Sequence, residues 1–453
     1  MTRWQSLPLQ GLESIRRRSE LPNGIRRDAD RRWRQRASPV IPLEEARHIV
    51  LSGLVPTRPV SIPLEDALGC VVAAPVVAAR PVPGFANSQM DGYALRAADV
   101  VEGARLRVVG TVAAGQAAER PVGVGEAVRI MTGAPIPEGA DAVCMVERTS
   151  TEERGSVVVV LGPVTPGEYI RRVGEDVAVG QVVIEAGTVL GPAHLGVLAS
   201  LGELAVLVHR RPRVGVVSTG DELADANEHL KPGAVRDANR PVLLALVRSS
   251  GFEATDLGIV PDDEDRIAAV LTEAASRCDA LVSSGGVSVG DRDFVQVVLD
   301  RLTGGAMRWM QVAIKPAKPL AFGMLAATGT PVFGLPGNPV SAMVSFEMFV
   351  RPALKKLAGH HRLDRAAVDG VADEDLPRAA DGKLHLARVV ATFGADGRVH
   401  VRSSGGQASH MLRATAGANA LALLPDGEGV RRGERVPVML LDASGVARAE
   451  EPA

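Results

Sequence analysis

The sequence predicts a multidomain protein of mixed α/β and β class: a doubly wound α/β domain, a helical domain with an inserted β domain, and a C-terminal β barrel. Three observations carry this. Residues 213–357 alternate apolar runs of strand length with helical stretches of about ten residues or more, the pattern of strands joined by crossover helices. Residues 80–171 are dominated by Gly, Pro and Val, with short apolar runs at 106–109, 128–131 and 157–161 between turn residues. Past His360 the helical spacing gives way to short runs at 384–390, 399–403, 420–424 and 436–441 separated by glycine turns. At 453 residues the chain is also too long for one compact domain.

Taken in order, residues 1–38 form an arginine-rich tail without an apolar segment of signal-peptide type, and read as a mobile basic extension. Residues 41–55 have amphipathic spacing with Glu44 and Glu45 in the first turn, so they read as a helix. Residues 59–77 read as a second helical stretch that ends at Gly69 and runs into a valine-rich strand. After the β-rich insertion, residues 193–201 return to helix. The α/β pattern then follows, with strands at 214–218, 254–260, 280–283, 309–314, 320–323 and 332–335, and helices at 240–250, 262–277, from Phe294, and up to Leu357. These patterns divide the chain into a tail (1–38), a discontinuous helical linker domain (39–80 and 172–208), an inserted β domain (81–171), an α/β domain (209–360) and a C-terminal β domain (361–453).

Bulk composition excludes several functions. A formal net charge of -2 argues against a nucleic-acid coat, and aromatic content of 3% weakens a base-stacking reading. The three cysteines, Cys70, Cys144 and Cys278, lie far apart without CxxC spacing, so neither a zinc site nor a disulfide framework is expected, and a reducing cytoplasm is. The charge-poor stretch 319–346 is interrupted by Pro331, Pro336 and Pro339, which suits buried strand and turn rather than a membrane span.

Ligands in open parallel sheets sit at the carboxyl ends of strands, so the loops there bear the chemistry. Thr219-Gly220-Asp221-Glu222 follows the first strand, which ends at Ser218, although Asp221 and Glu222 equally suit the start of a capped helix. Gly285, Gly286, Ser288 and Gly290 follow the third strand; their backbone N–H groups suit phosphate oxygens. Asp291 and Asp293 in that loop would repel phosphate unless a divalent cation lay between, which implies Mg2+. Lys315-Pro316-Ala317-Lys318-Pro319 is a stiff cationic clamp suited to phosphate or another tetrahedral oxyanion. Residues 334–341 place Pro336, Pro339 and Ser341 in a rigid loop before the next helix. By spacing alone, the polar turns around Asp91, Thr132 and Asp176 read as ordinary turns.

Seven strings in this order, NSQMDGYA (87–94), IMTGAPIP (130–137), RRVGEDV (171–177), STGDEL (218–223), SSGGVSVGDRD (283–293), AIKPAKP (313–319) and GLPGNPVSA (334–342), resemble the MoeA family and the E domain of gephyrin. The resemblance runs from about Pro39 to the C-terminus. It implies a four-domain homodimer that takes molybdenum from molybdate into adenylylated molybdopterin, with Mg2+ and release of AMP. By the same resemblance, Asp91, Thr132, Asp176, Glu222 and Asp293 are catalytic, and Asp221, Glu222 and Asp293 hold the metal. Ser218, Gly220, Asp221, Gly285, Gly286, Ser288, Gly290 and Asp262 would bind the pterin substrate. Lys315, Lys318, Ser341, Arg388 (in HLARV) and Ser409 (in GGQASH) would take the molybdate, and Pro336 and Pro339 are carried over as positions of the same binding site. Asp262 is explained equally well by an acidic first helical turn.

Two positions depart from the family pattern: Ala317 stands where glycine is usual, which matters if φ there is positive, and Gln311 stands where a further lysine is found. A molybdopterin adenylyltransferase would share SSGGVSVG but needs neither the β insertion nor the C-terminal domain. A CinA-like pyrophosphatase has no place for MDGYA or MTGA. A gephyrin-like scaffold would retain the fold and grip partner peptides. Protein partners implied are the adenylyltransferase that supplies the substrate and the apo-molybdoenzymes that take the product.

Overall fold

Valine-rich runs flanked by turn residues become the central strands of a seven-stranded sheet in this computed structural model, which describes residues 39–286, 294–443 and 445–447. The chain divides into two units: Arg213–Leu354 and Asp364–Ala453 with the segment ending at Leu54, and Val55–Pro212 with Lys355–Leu363.

In the first unit the sheet strands are β1 (Val40–Ile41), β2 (Arg213–Thr219), β3 (Glu253–Val260), β4 (Ala280–Ser284), β5 (Arg308–Val312), β6 (Pro319–Met324) and β7 (Pro331–Leu335), in spatial order β1-β5-β6-β7-β4-β2-β3. Helices α1 (Leu43–Ser52), α2 (Asn239–Ser249), α3 (Glu264–Ala275) and α4 (Phe294–Leu302) lie between them in sequence, and α5 (Pro339–Ser345) follows β7. Strands β7, β4, β2 and β3 pair in parallel, as expected of crossover connections. The sheet is nevertheless mixed, because β6 is antiparallel to both β5 and β7. The links 313–318 and 325–330 are too short for a crossover, which needs about a dozen residues, so the chain reverses at each. Residues 39–54, grouped by sequence with the helical linker, join this unit: β1 pairs with Gln311 and Val312 of β5, and Arg47 Nη1 donates to Met348 O at 2.8 Å.

The core follows from helical periodicity. In α3 the buried residues Ile267, Leu271, Ala274 and Ala275 recur at the spacing of one helix face, packed against Val217 and Leu281 of the sheet. Asp263 starts this helix by accepting a hydrogen bond from Arg266 N at 2.8 Å. The helix therefore begins just beyond Asp262, which is left free to face the loop after β2.

The C-terminal strands close into a barrel. Leu384–Phe393 pairs with Val399–Ser403, which pairs with Ala367–Ala372, then Arg435–Leu440, then Ala420–Leu424, which pairs back to Leu384–Phe393. The interior is filled by Val389, Ala391, Val401, Ala422, Val436 and Val438. A short strand, Ile314–Lys315, adds in parallel to Leu384–His385 and so ties the lysine loop to the barrel.

In the second unit a six-stranded sheet is built from Gly92–Leu95, Arg105–Val112, Glu126–Ile130, Ala142–Met145, Thr149–Glu152 and Val157–Val160. Its two flanks meet: Ala205–His209 pairs with Pro59–Pro63 and Val71–Val72, and Val76–Val77 pairs with Val182–Ile184. The stretch 59–77 is thus not helical. Pro59–Pro63 is a strand with alternating burial, followed by the 3-10 turn Leu64–Asp66. Two prolines around Val-Ser-Ile disfavour a helix and still permit an edge strand. The helix expected at 193–201 is Pro192–Ser200.

Candidate functional site

The loops after β2 and β4 lie side by side at the carboxyl edge of the sheet. Gly285 has φ +98°, and a Cβ there would stand 2.8 Å from Thr219 O; at Gly286 (φ +72°) it would stand 2.3 Å from Val295 Cβ. Only glycine fits both, so the chain turns tightly between strand end and α4. Ser288, Gly290 and Asp293, with Asp291, lie outside the described residues. The hydroxyls of Ser218, Thr219 and Ser283 are buried with no hydrogen-bond partner among the described residues.

Asp221, Glu222 and Asp262 are brought together. Asp221 Oδ1 accepts from Asp262 N at 3.1 Å, and the Glu222 carboxylate folds back over Gly220. Burial pushes the Asp262 carboxyl up, and the like charges of Asp221 and Glu222 push it further. Among the described residues no three His, Cys, Asp or Glu side chains gather into a metal cage. Mg2+ is commonly held by one or two carboxylates with phosphate oxygens and water completing its shell, and the oxygen-only pair Asp221 and Glu222 fits that mode.

The residues expected to take the oxyanion lie on the lysine loop, the loop after β7 and the barrel. Lys315 and Lys318 are exposed while Pro316 and Ala317 between them are buried. Ala317 has φ +78°, so the position where the family uses glycine does demand the left-handed region. Gln311 is taken up by the sheet, opposite Pro319 on β6 and Val40 on β1. Val340 N donates to Ser409 O at 3.2 Å, which sets Ser409 beside buried Ser341. Pro336 is buried, and Pro339 occupies the first turn of α5.

Arg388 alternates with the barrel-lining Ala387 and Val389, so it faces outward, yet it is 1% exposed because the loop 403–409 covers it. Its Nη2 donates to Gly406 O (2.8 Å) and Ala408 O (3.3 Å), and Gln407 clamps its backbone. Nε and Nη1 have no partner among the described residues. Burial pushes its pKa down, and no carboxylate among the described residues offsets this.

In the second unit, three polar turns that spacing alone leaves ordinary prove to be one cluster. Asn87–Ser88 pairs with Ile170–Arg171, and Gly133 N donates to Ser88 O at 2.8 Å. Asp91 Oδ1 accepts from both the N–H and the hydroxyl of Thr132, each at 2.7 Å. These bonds hold the Asp91 carboxyl below its ordinary range. Asp176 lies further along the third turn, where its N–H donates to Val82 O at 3.0 Å.

Sequence reasoning passed over Asp237, Asn239 and Arg240. Arg240 bonds Asp225, Asp237 and Asp256, pinning the segment that follows Glu222 to the sheet. The signal was present as a polar run, Asp237-Ala238-Asn239-Arg240, at a predicted helix start, where capping explains it equally well.

Comparison with known proteins then gives three matches along the chain: the MoeA N-terminal region (domains I and II) over residues 41–202, a probable molybdopterin binding domain over 215–356, and the MoeA C-terminal region (domain IV) over 370–441. Molybdopterin molybdenumtransferase of Haemophilus influenzae is 38% identical over 402 residues, covering 88% of this chain and 98% of that protein. Molybdopterin molybdenumtransferase 2 of Mycobacterium tuberculosis is 39% identical over 399 residues, covering 85% and 95%. The crystal structure of a molybdopterin biosynthesis MoeA protein from Pyrococcus horikoshii matches with a TM-score of 0.73 at 31% identity, covering 89% of this chain and all of that one. Matched over most of its length in motif, domain order and fold, the chain belongs to the MoeA family of molybdopterin molybdenumtransferases.

Proposed function

We propose that the protein transfers molybdenum from molybdate into adenylylated molybdopterin, releasing AMP. One observation carries the reading: Arg388 is a buried guanidinium with two N–H positions unpartnered among the described residues, placed beside the Ser409 loop and on the barrel strand that pairs with Lys315. A buried cation without a counter-charge costs several kcal/mol, so such a group implies an anion. Lysine ammoniums, a guanidinium and serine hydroxyls offer donors only, which suits a tetrahedral oxyanion with many acceptor oxygens.

In this reading Lys315, Lys318 and Arg388 neutralise molybdate while Ser341 and Ser409 orient it. Gly285 and Gly286 let the backbone approach the pyrophosphate. Asp221 and Glu222, together with Asp293 of the glycine loop's sequence, would hold Mg2+, which would supply charge stabilisation to the departing AMP. Asp91, kept ionised by Thr132, and Asp176 offer acceptors to substrate protons. No side-chain nucleophile is required, because the dithiolene sulfurs bind the metal and positioning supplies much of the rate.

The protein would act as a homodimer; exposed Leu204 (87%), Leu207 and Val182 on the second unit support self-association. An adenylyltransferase supplying substrate and apo-molybdoenzymes taking product are the protein partners this activity requires.

Calorimetric titration tests the reading. Molybdate should bind the wild type, and Arg388→Lys should weaken it about tenfold or more, since a charge-assisted hydrogen bond contributes roughly 1.5–3 kcal/mol. Equal binding by both would remove Arg388 from the site.

A further inference from the structure

Asn239 opens α2, and its side chain reaches two other segments at once. Nδ2 donates to Ser284 Oγ at 2.7 Å and to Gly337 O at 2.7 Å. Ser284 is the last residue of β4, immediately before Gly285 and Gly286. Gly337 belongs to the loop that leads from β7 to Ser341. A single carboxamide therefore ties the glycine loop to the oxyanion loop.

The tie is anchored. Asp237 Oδ1 accepts from the N–H groups of both Asn239 and Arg240 at 3.1 Å, and Arg240 is itself fixed by carboxylates on either side. Asn239 is only 9% exposed, and its Oδ1 has no partner among the described residues. Ser218, register partner of Ser284 on β2, likewise buries a hydroxyl with no partner among them. Buried polar groups are nearly always satisfied, and a surplus of unsatisfied ones marks a place kept for something other than stability.

We propose that Asn239 is a positioning residue that couples the pyrophosphate loop to the oxyanion loop, so that the two substrates are presented in one register. The inference rests on the molybdenum-transfer reading. Asparagine suits the task because both links need a donor on a short, planar group. Aspartate is nearly isosteric but cannot donate to Gly337 O, and serine is too short to reach both partners.

The test is steady-state AMP release with molybdate and adenylylated molybdopterin varied in turn, on wild type, Asn239→Asp and Ser284→Ala. Asn239→Asp should raise KM for both substrates by about tenfold, the equivalent of one hydrogen bond, while kcat falls by less than about threefold. Ser284→Ala, which keeps the Gly337 link, should raise KM for the pterin substrate alone. Wild-type KM values in both variants, or loss of kcat and thermal stability with KM unchanged, would overturn the coupling and leave a structural pin. Should Asn239→Asp fail to fold, Ser284→Ala decides by the same split. Should the wild type itself release no AMP, the functional reading fails; molybdate titration of Asn239→Asp then tests the coupling, with about tenfold weaker binding expected and equal binding overturning it.

Discussion

Asp91 and Thr132 form a closed pair: one carboxylate oxygen accepts both the backbone N–H and the side-chain hydroxyl of Thr132, each at 2.7 Å. The two residues are 41 positions apart and meet because Gly92–Leu95 and Glu126–Ile130 are neighbouring antiparallel strands. Both bonds favour the ionised carboxylate, so the Asp91 carboxyl lies below its ordinary range. Its contribution to stability is present above the ordinary carboxylate range and is lost as pH falls through the depressed value. Thr132→Val removes the hydroxyl bond but keeps the N–H, so the Asp91 pKa should rise without reaching its ordinary value. A carboxyl-carbon NMR titration of the two proteins reads this directly, and an unmoved pKa would contradict it. Asp91→Asn should keep the fold and lower turnover by at least about a hundredfold if Asp91 handles a proton.

Arg388→Lys is not a conservative change. Lysine carries the charge but cannot satisfy Gly406 O and Ala408 O while presenting two further N–H groups to an anion. AMP release should show a molybdate KM raised by about tenfold or more with barrel folding retained, as judged by far-UV circular dichroism. An unchanged KM would place the oxyanion elsewhere.

Ala317 holds φ +78° within a buried turn. A left-handed alanine costs about 1–2 kcal/mol that glycine avoids, while glycine adds back part of this through unfolded-chain entropy. Ala317→Gly should therefore raise the midpoint of thermal unfolding by about 1–4 °C. A lower midpoint would show that the lysine loop prefers its alanine.

His400 bridges two carboxylates, Asp373 through Nδ1 (2.6 Å) and Asp396 through Nε2 (3.1 Å), which requires protons on both ring nitrogens. The Asp373 bond, aided by Asp396, raises its pKa above the ordinary histidine value. Stability from this link is complete below about pH 6.5 and fades as pH rises through the raised value. The barrel should unfold at a slightly lower temperature at pH 8.5 than at pH 6, by about 1–2 °C given the exposure of the partners. His400→Gln should remove that difference; a pH dependence that survives intact would assign it to other groups.

The α/β unit was legible because buried parallel strands such as Arg213–Thr219 and Ala280–Ser284 read as continuous apolar runs between helices. Strand β6 was legible as a strand but not in its direction, which depends on link length rather than side chains. Pro59–Pro63 was misread because Val60 and Ile62 fit both a strand and part of a helix face, and only pairing with Ala205–His209, far along the chain, decides between them. The lysine and proline loops announced themselves by composition. Asn239 did not, since an asparagine at a helix start reads as a cap, and its partners Ser284 and Gly337 are brought near only by folding. The Asp91–Thr132 pair was invisible to spacing for the same reason, and its assignment, like that of Asp176, came from resemblance alone.

The most direct measurement is AMP release from adenylylated molybdopterin by the purified full-length protein, with molybdate and Mg2+ each present or withheld. The account predicts release that needs both, and a product that activates an apo-molybdoenzyme. Folded protein that releases no AMP under any of these conditions would contradict it, and would leave the unpartnered N–H groups of buried Arg388 without the anion assigned to them.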